Sequence, residues 1–173
     1  MSTAASPRSA SAHARATIET DGAQMVITRT FPAPAHLVFE AMTQPEHIRQ
    51  WWGAGHGEMT VCEVDLQVGG AWHFAQRATS SAEEVSFSGH YKEIDRPGHL
   101  VHTERFDNIE SPYSVIDTTY TESDGKTHMR AVITYDSPET VQAVLDSGME
   151  SGMQASYDAI DDVLAELSDT STR

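Results

Sequence analysis

The chain has 173 residues, a length that suits one domain and can bury a core without metals or disulfides. It carries 26 acidic against 11 basic residues, a formal charge of −15, with 39% apolar residues. A surface that acidic repels phosphate backbones and anionic lipid, so nucleic acid and membrane surfaces are set aside as partners and the charge is read as solubility. The single cysteine, Cys62, allows no internal disulfide and fits a reducing cytosol, and no apolar run approaches the roughly 18 residues that span a bilayer. A cytoplasmic protein is expected.

The opening "MSTAASPRSASAHARA" is Ala/Ser-rich and lacks the apolar stretch of a signal peptide. It predicts a disordered tail over 1–15, one domain over 16–167, and a frayed tail, "SDTSTR", over 168–173. "ATIET", "DG" and "AQMVITRTF" read as a short strand, a turn and a longer strand. "PAHLVFEAMT" follows as a short helix opened by Pro34, with Val38 and Met42 on one face. Thr43 and Glu46 stand at capping-box spacing, which predicts a second short helix with Pro45 in its first turn. Ile48 then lines up with Trp51 and Trp52, and the glycines at 53, 55 and 57 end the helix. Adjacent residues on a helix point about 100° apart, so the two tryptophans cannot share one environment.

Strand patterns fill the next stretch. "MTVCEVDLQV" alternates, with Cys62, Val64 and Leu66 on one side, and Cys62 is read as a small core residue. "AWHFAQRAT" sets Trp72 and Phe74 on one face, and "VSFSGHYKEI" groups Val85, Phe87, Gly89 and Tyr91. "HLVHTERF" follows the "RPG" turn. "YSVIDTTYTES" and "KTHMRAVITY" flank Asp124-Gly125, a strong hairpin signal. A two-residue loop there pairs Ser123 with Lys126, Tyr120 with Met129, Thr118 with Ala131 and Ile116 with Ile133, which collects the apolar residues on one face. After Pro138, "ETVQAVLD" forms a short helical piece. "SGMESGMQASYDAIDDVLAEL" is then a long helix with Met149, Met153, Ile160 and Leu164 along one side. Gly148 and Gly152 each cost a helix interior about 1 kcal/mol relative to alanine, so either something approaches closely or the helix begins near Gly148.

The fold class is α+β: a curved antiparallel sheet of six to seven strands gripping a long C-terminal helix, with two short helices near the start. A strongly curved sheet leaves room beneath the helix, and interiors otherwise pack near crystal density, so such room is a functional feature.

The phrases "ITRTFPAPAHLVFEAMTQPEHIRQWWG", "DLQVGGAW", "GHYKEIDRPGHLVHTERF", "DGKTHMRAVITY" and the final helix resemble, in order and over about residues 16–167, the START-like helix-grip superfamily. The branch they resemble is the bacterial relatives of the activator of the 90-kDa heat-shock chaperone's ATPase. The resemblance implies an apolar cavity under the long helix, holding a lipid, sterol, polyketide or other hydrophobic molecule. It also implies that the second short helix closes one end of that cavity, so that one tryptophan packs in the core while the other roofs the ligand; the alternative is that both are structural. The chain lacks the separate N-terminal domain of the eukaryotic activator, which counts against chaperone activation and leaves a chaperone contact as an alternative. Some superfamily members are enzymes of cyclase or hydrolase type.

The expected function is therefore non-catalytic binding of a small hydrophobic molecule. Trp51, Trp52, Trp72, Phe74, Phe87 and Tyr91 are its expected lining, with Tyr120, Met129, Met149 and Met153; methionines repack around different ligand shapes. The alternatives are a chaperone-interacting or stress-linked regulator and a cavity enzyme. His102 and Glu104, on the face of Leu100 and Phe106, are the candidates for acid/base chemistry, unless Val101 and Thr103 face inward instead. Asp117 is a further polar candidate, placed opposite the apolar face by the hairpin register. His99 and His102 fall on opposite strand faces, and no metal-ligand spacing, nucleophile elbow, Walker loop or dinucleotide fingerprint occurs, so no metal or cofactor is expected.

Overall fold

A computed structural model describes residues 14–171 of the chain; the expected disordered tail lies, for residues 1–13, outside the described residues. In chain order the elements are β1 (Thr17–Asp21), β2 (Gln24–Phe31), α1 (Ala35–Thr43), α2 (Pro45–Trp51), β3 (Gly57–Val64), β4 (Ala71–Ala78), β5 (Glu84–Asp95) and β6 (His99–Phe106). Then come β7 (Ser114–Ser123), β8 (Lys126–Thr134), α3 (Pro138–Asp146) and α4 (Met149–Thr170). The strands form one antiparallel sheet of eight, ordered β1-β2-β8-β7-β6-β5-β4-β3, where the patterning predicts six to seven.

That order explains the two short helices. β2 lies beside β8, near one edge, whereas β3 forms the opposite edge. The chain between them must cross the sheet, and α1 and α2 make that crossing. α4 returns over the same side and packs against α1, α2 and α3. Helices thus cover one face of the curved sheet, and the core lies between: Met25, Phe31, Val38, Ile48, Met129, Ile160 and Leu164 are almost fully enclosed.

Local chemistry sets several boundaries. Asp124 (φ 54°) and Gly125 (φ 74°) adopt the left-handed pair that a tight hairpin requires, and β7 and β8 pair in the register expected of them, from Ser123–Lys126 to Ile116–Ile133. Ser137 caps α3 by accepting the Thr140 N–H at 3.2 Å. Gly148 (φ 79°) precedes α4 as its cap, so that glycine marks a helix start. Three boundaries differ from the expected ones. α2 is capped at Gln44, and the Thr43 hydroxyl turns back to donate to the Phe39 carbonyl at 2.6 Å, because Thr43 still belongs to α1. β3 stops at Val64 instead of continuing to Val68, since the chain folds tightly between Asp65 and Gly70. α4 runs on to Thr170, into the segment read as a tail.

Three contacts fix α4 against the sheet. The Arg29 guanidinium, 1% exposed, donates from both terminal nitrogens to Asp161 at 2.8 Å and reaches Asp158 at 3.3 Å. The Gln154 side chain accepts the Ala16 N–H and donates to the Ala16 carbonyl, both at 3.0 Å. The Tyr157 ring meets Phe31 edge-on at 5.8 Å.

Candidate functional site

The inward faces of β4, β5 and β6 carry an aromatic floor. Alternation along each strand sends Trp72 and Phe74, Phe87 and Tyr91, and His102 and Phe106 to the same side. The register then aligns Phe74 with Phe87 and Phe87 with Phe106, and Tyr91 with His102. Ring centroids lie 4.8 Å apart for Trp72–Phe74, 5.0 Å for Phe87–Phe106 and 5.8 Å for Trp72–His102. Gly89 makes this packing possible. The Trp72 indole lies across β5 to donate to the Thr103 carbonyl at 3.1 Å, and a Cβ at Gly89 would strike both that oxygen and the indole nitrogen.

The adjacent tryptophans have separate tasks. Trp51 is the last residue of α2, and its indole N–H donates to the Ala41 carbonyl at 2.8 Å, which ties α2 to α1. Trp52 has already left the helix with extended torsions (φ −65°, ψ 124°). Its ring drops onto the floor, 5.7 Å from Phe74 and 5.8 Å from Phe87. Gly53, at φ +63°, turns the chain behind it, and the Gln76 amide holds that turn by donating to the Gly53 carbonyl at 2.8 Å. Trp52, not Trp51, is therefore the tryptophan that faces the sheet.

Polar groups stand beside the floor. Burial pushes the His102 imidazole down to about 4 and the Glu104 carboxyl up to about 7. Near neutrality His102 is thus uncharged and Glu104 is poised between its two forms. Neither side chain bonds to the other, nor to any other described residue: His102 Nδ1 is enclosed without a partner, while the Glu104 oxygens are not sealed off. Tyr135, just past β8, and Tyr157 of α4 are close enough to feel the Glu104 charge. Burial first, and that charge second, push the Tyr135 hydroxyl up to about 12. Burial is also the main cause of the upward shift at Tyr157, where Arg29 pulls the other way.

Of the expected lining, Trp52, Trp72, Phe74, Phe87 and Tyr91 come together with His102. The others pack into the same core through contacts of their own. Trp51 is engaged by α1, Tyr120 packs against Phe39 at 6.1 Å, and Met129 pairs with Tyr120 and Arg29 deep in the core. Met149 and Met153 are half-buried on α4. Phe106, Arg29, Tyr135 and Tyr157 belong to the same face yet are missing from the expected set. Parity would have found three of them: Arg29 follows Met25 and Ile27, Tyr135 follows Ala131 and Ile133, and Tyr157 follows Met149 and Met153 at helical spacing.

A second polar cluster lies on the opposite face. His73 Nε2 is 2.8 Å from Ser86 Oγ, and Ser86 donates to Asp107 at 2.9 Å. The serine proton is thus directed at the carboxylate rather than the imidazole, the reverse of nucleophile activation. Among the described residues no group of His, Cys, Asp and Glu converges as a metal site, and no helix is long and apolar enough to cross a membrane.

A curved antiparallel sheet gripping one long C-terminal helix, with two short helices on the same side, defines a helix-grip protein. The architecture is shared with solved bacterial structures. A protein from Rhodobacter sphaeroides superposes with a TM-score of 0.81 at 23% identity, over 88% of this chain and 99% of that one. Protein Ms6760 from Mycobacterium smegmatis gives 0.77 at 26% identity, over 86% and 96%. A protein from Arthrobacter aurescens gives 0.77 at 22%, over 87% and 91%. The chain belongs to the family of Activator of Hsp90 ATPase homolog 1-like proteins, whose model matches residues 32–165. No curated protein matches the chain.

Proposed function

We propose that the protein binds a small, mainly apolar molecule between the aromatic floor and α4. The observation that carries this is a set of inward-pointing side chains that the fold surrounds and yet leaves incompletely covered: Phe87, His102, Glu104, Phe106, Ile116 and Tyr157 all retain surface. Burial shifts both His102 and Glu104, which marks them as largely desolvated despite that remaining surface. Aromatic and aliphatic walls with a few convergent polar groups are the usual composition of a small-molecule pocket. The free, buried Cys62 agrees with a cytoplasmic setting.

Nile red, an uncharged dye whose emission rises in apolar surroundings, tests this reading. Saturable one-to-one uptake, weakened by Trp52→Ala, is the expected result. A folded protein that takes up no dye, or takes it up equally with Trp52→Ala, contradicts it.

A further inference from the structure

The charge balance of this interior is one-sided. Glu104 lies two residues from His102 on β6, and the next inward position across β7 is Ser114, which pairs with Glu104. Beyond it come Tyr135 and, from α4, Tyr157. None of these brings a positive charge: His102 is held neutral by burial, and burial keeps both phenols protonated. The Arg29 guanidinium, which acts on Tyr157, already engages two carboxylates, Asp161 at 2.8 Å and Asp158 at 3.3 Å. The concave face therefore offers an unmatched carboxylate and a neutral imidazole beside rings of Trp72, Phe87 and Phe106, with no cation to receive an anionic headgroup. Aromatic faces attract a cation, and a desolvated carboxylate binds one with strong hydrogen bonds. A fatty-acid anion placed there would meet Glu104 as a second carboxylate in one site, which is unfavourable.

Resting on the reading of the interior as a ligand space, we infer that its ligand is a lipophilic cation: an apolar or aromatic body carrying a protonated primary amine, seated with its ammonium on Glu104 and its body on the floor beside Trp52. The ammonium supplies the countercharge that the fold omits. Binding then requires Glu104 ionised, and it weakens as pH falls and the carboxyl takes up a proton. The groups facing Glu104 do not imitate this response, since His102 titrates lower and Tyr135 and Tyr157 higher.

Three probes of one shape separate the claims: naphthalene-methylamine, naphthalene-methanol and naphthalene-carboxylate, titrated into the full chain at pH 8 and followed by tryptophan emission. The expected order is amine, alcohol, carboxylate. A hydrogen bond to a charged partner corresponds to about ten- to hundredfold in affinity, and the amine should lead the alcohol by that factor. Glu104→Gln should remove the amine's lead over the alcohol, and far-ultraviolet dichroism with a urea midpoint at pH 8 reports that the variant is folded. At pH 5.5 the wild-type lead should shrink in the same way. Equal binding of all three probes, or a lead for the carboxylate, overturns the inference and leaves the ligand space standing. No binding of any probe or of Nile red by folded protein overturns both.

Discussion

Glu104 and His102 make opposed contributions to stability, and their pH windows overlap. Glu104 is raised in the folded state from 4.5 to about 7, so the stability it confers when protonated is fully present below its unfolded value. That stability is lost as pH rises toward 7. His102 is lowered from 6.5 to about 4, so the stability of its neutral form is present above 6.5 and lost as pH falls toward 4. Each displacement corresponds to about 3 kcal/mol between its limits. Between about pH 4.5 and 6.5 the two slopes run in opposite directions and largely cancel in the wild type. Substitution of one group uncovers the other. Glu104→Gln should gain stability relative to wild type as pH rises, by about 3 kcal/mol from pH 4.5 to 8. His102→Gln should gain relative to wild type as pH falls, by a similar amount. Urea unfolding at pH 4.5, 5.5, 6.5 and 8, with each variant set against wild type, gives the differences directly. If the two difference curves are flat with pH, His102 and Glu104 are ordinary solvated side chains, and the account of a deep polar pair is wrong.

Arg29→Met takes the cation away from two carboxylates, one of them well buried, and breaking such a pair costs about 3–5 kcal/mol. For a domain of this length the melting temperature should fall by roughly 6–20 °C, and adding Asp161→Asn should restore part of the loss; calorimetry of the single and double variants checks both. Gly89→Ala forces a Cβ against the Thr103 carbonyl and should cost about 3 kcal/mol or more, with a change in Trp72 near-ultraviolet dichroism. Gly152→Ala should act the other way, raising stability by about 0.5–1 kcal/mol in chemical denaturation. A Cβ there would come no closer than 3.7 Å to His56.

The parts of the fold legible in the sequence are those governed by neighbours along the chain. The β7–β8 register follows from Asp124-Gly125, because only a left-handed pair closes that turn, and the rest is counting. The same locality misleads at Thr43, where capping-box spacing is present but the hydroxyl is already committed to α1. Parity shows that His102 and Glu104 share a face with Leu100 but not which face turns inward. Val101, on the other face, is itself only 7% exposed, so the pattern is apolar on both sides. The Arg29–Asp161 pair joins residues 132 apart, and nothing in either local sequence announces it. Trp51 and Trp52 illustrate the limit: helical geometry predicts that they diverge, while the end of α2 at Trp51 decides which one reaches the floor.

A crystal structure of the protein grown with naphthalene-methylamine tests the central claim most directly. The account predicts electron density for one molecule between α4 and the aromatic floor, its ring beside Trp52 and its nitrogen within hydrogen-bonding distance of Glu104. Density on the outer surface alone, or an interior closed solidly by its own side chains, would contradict it.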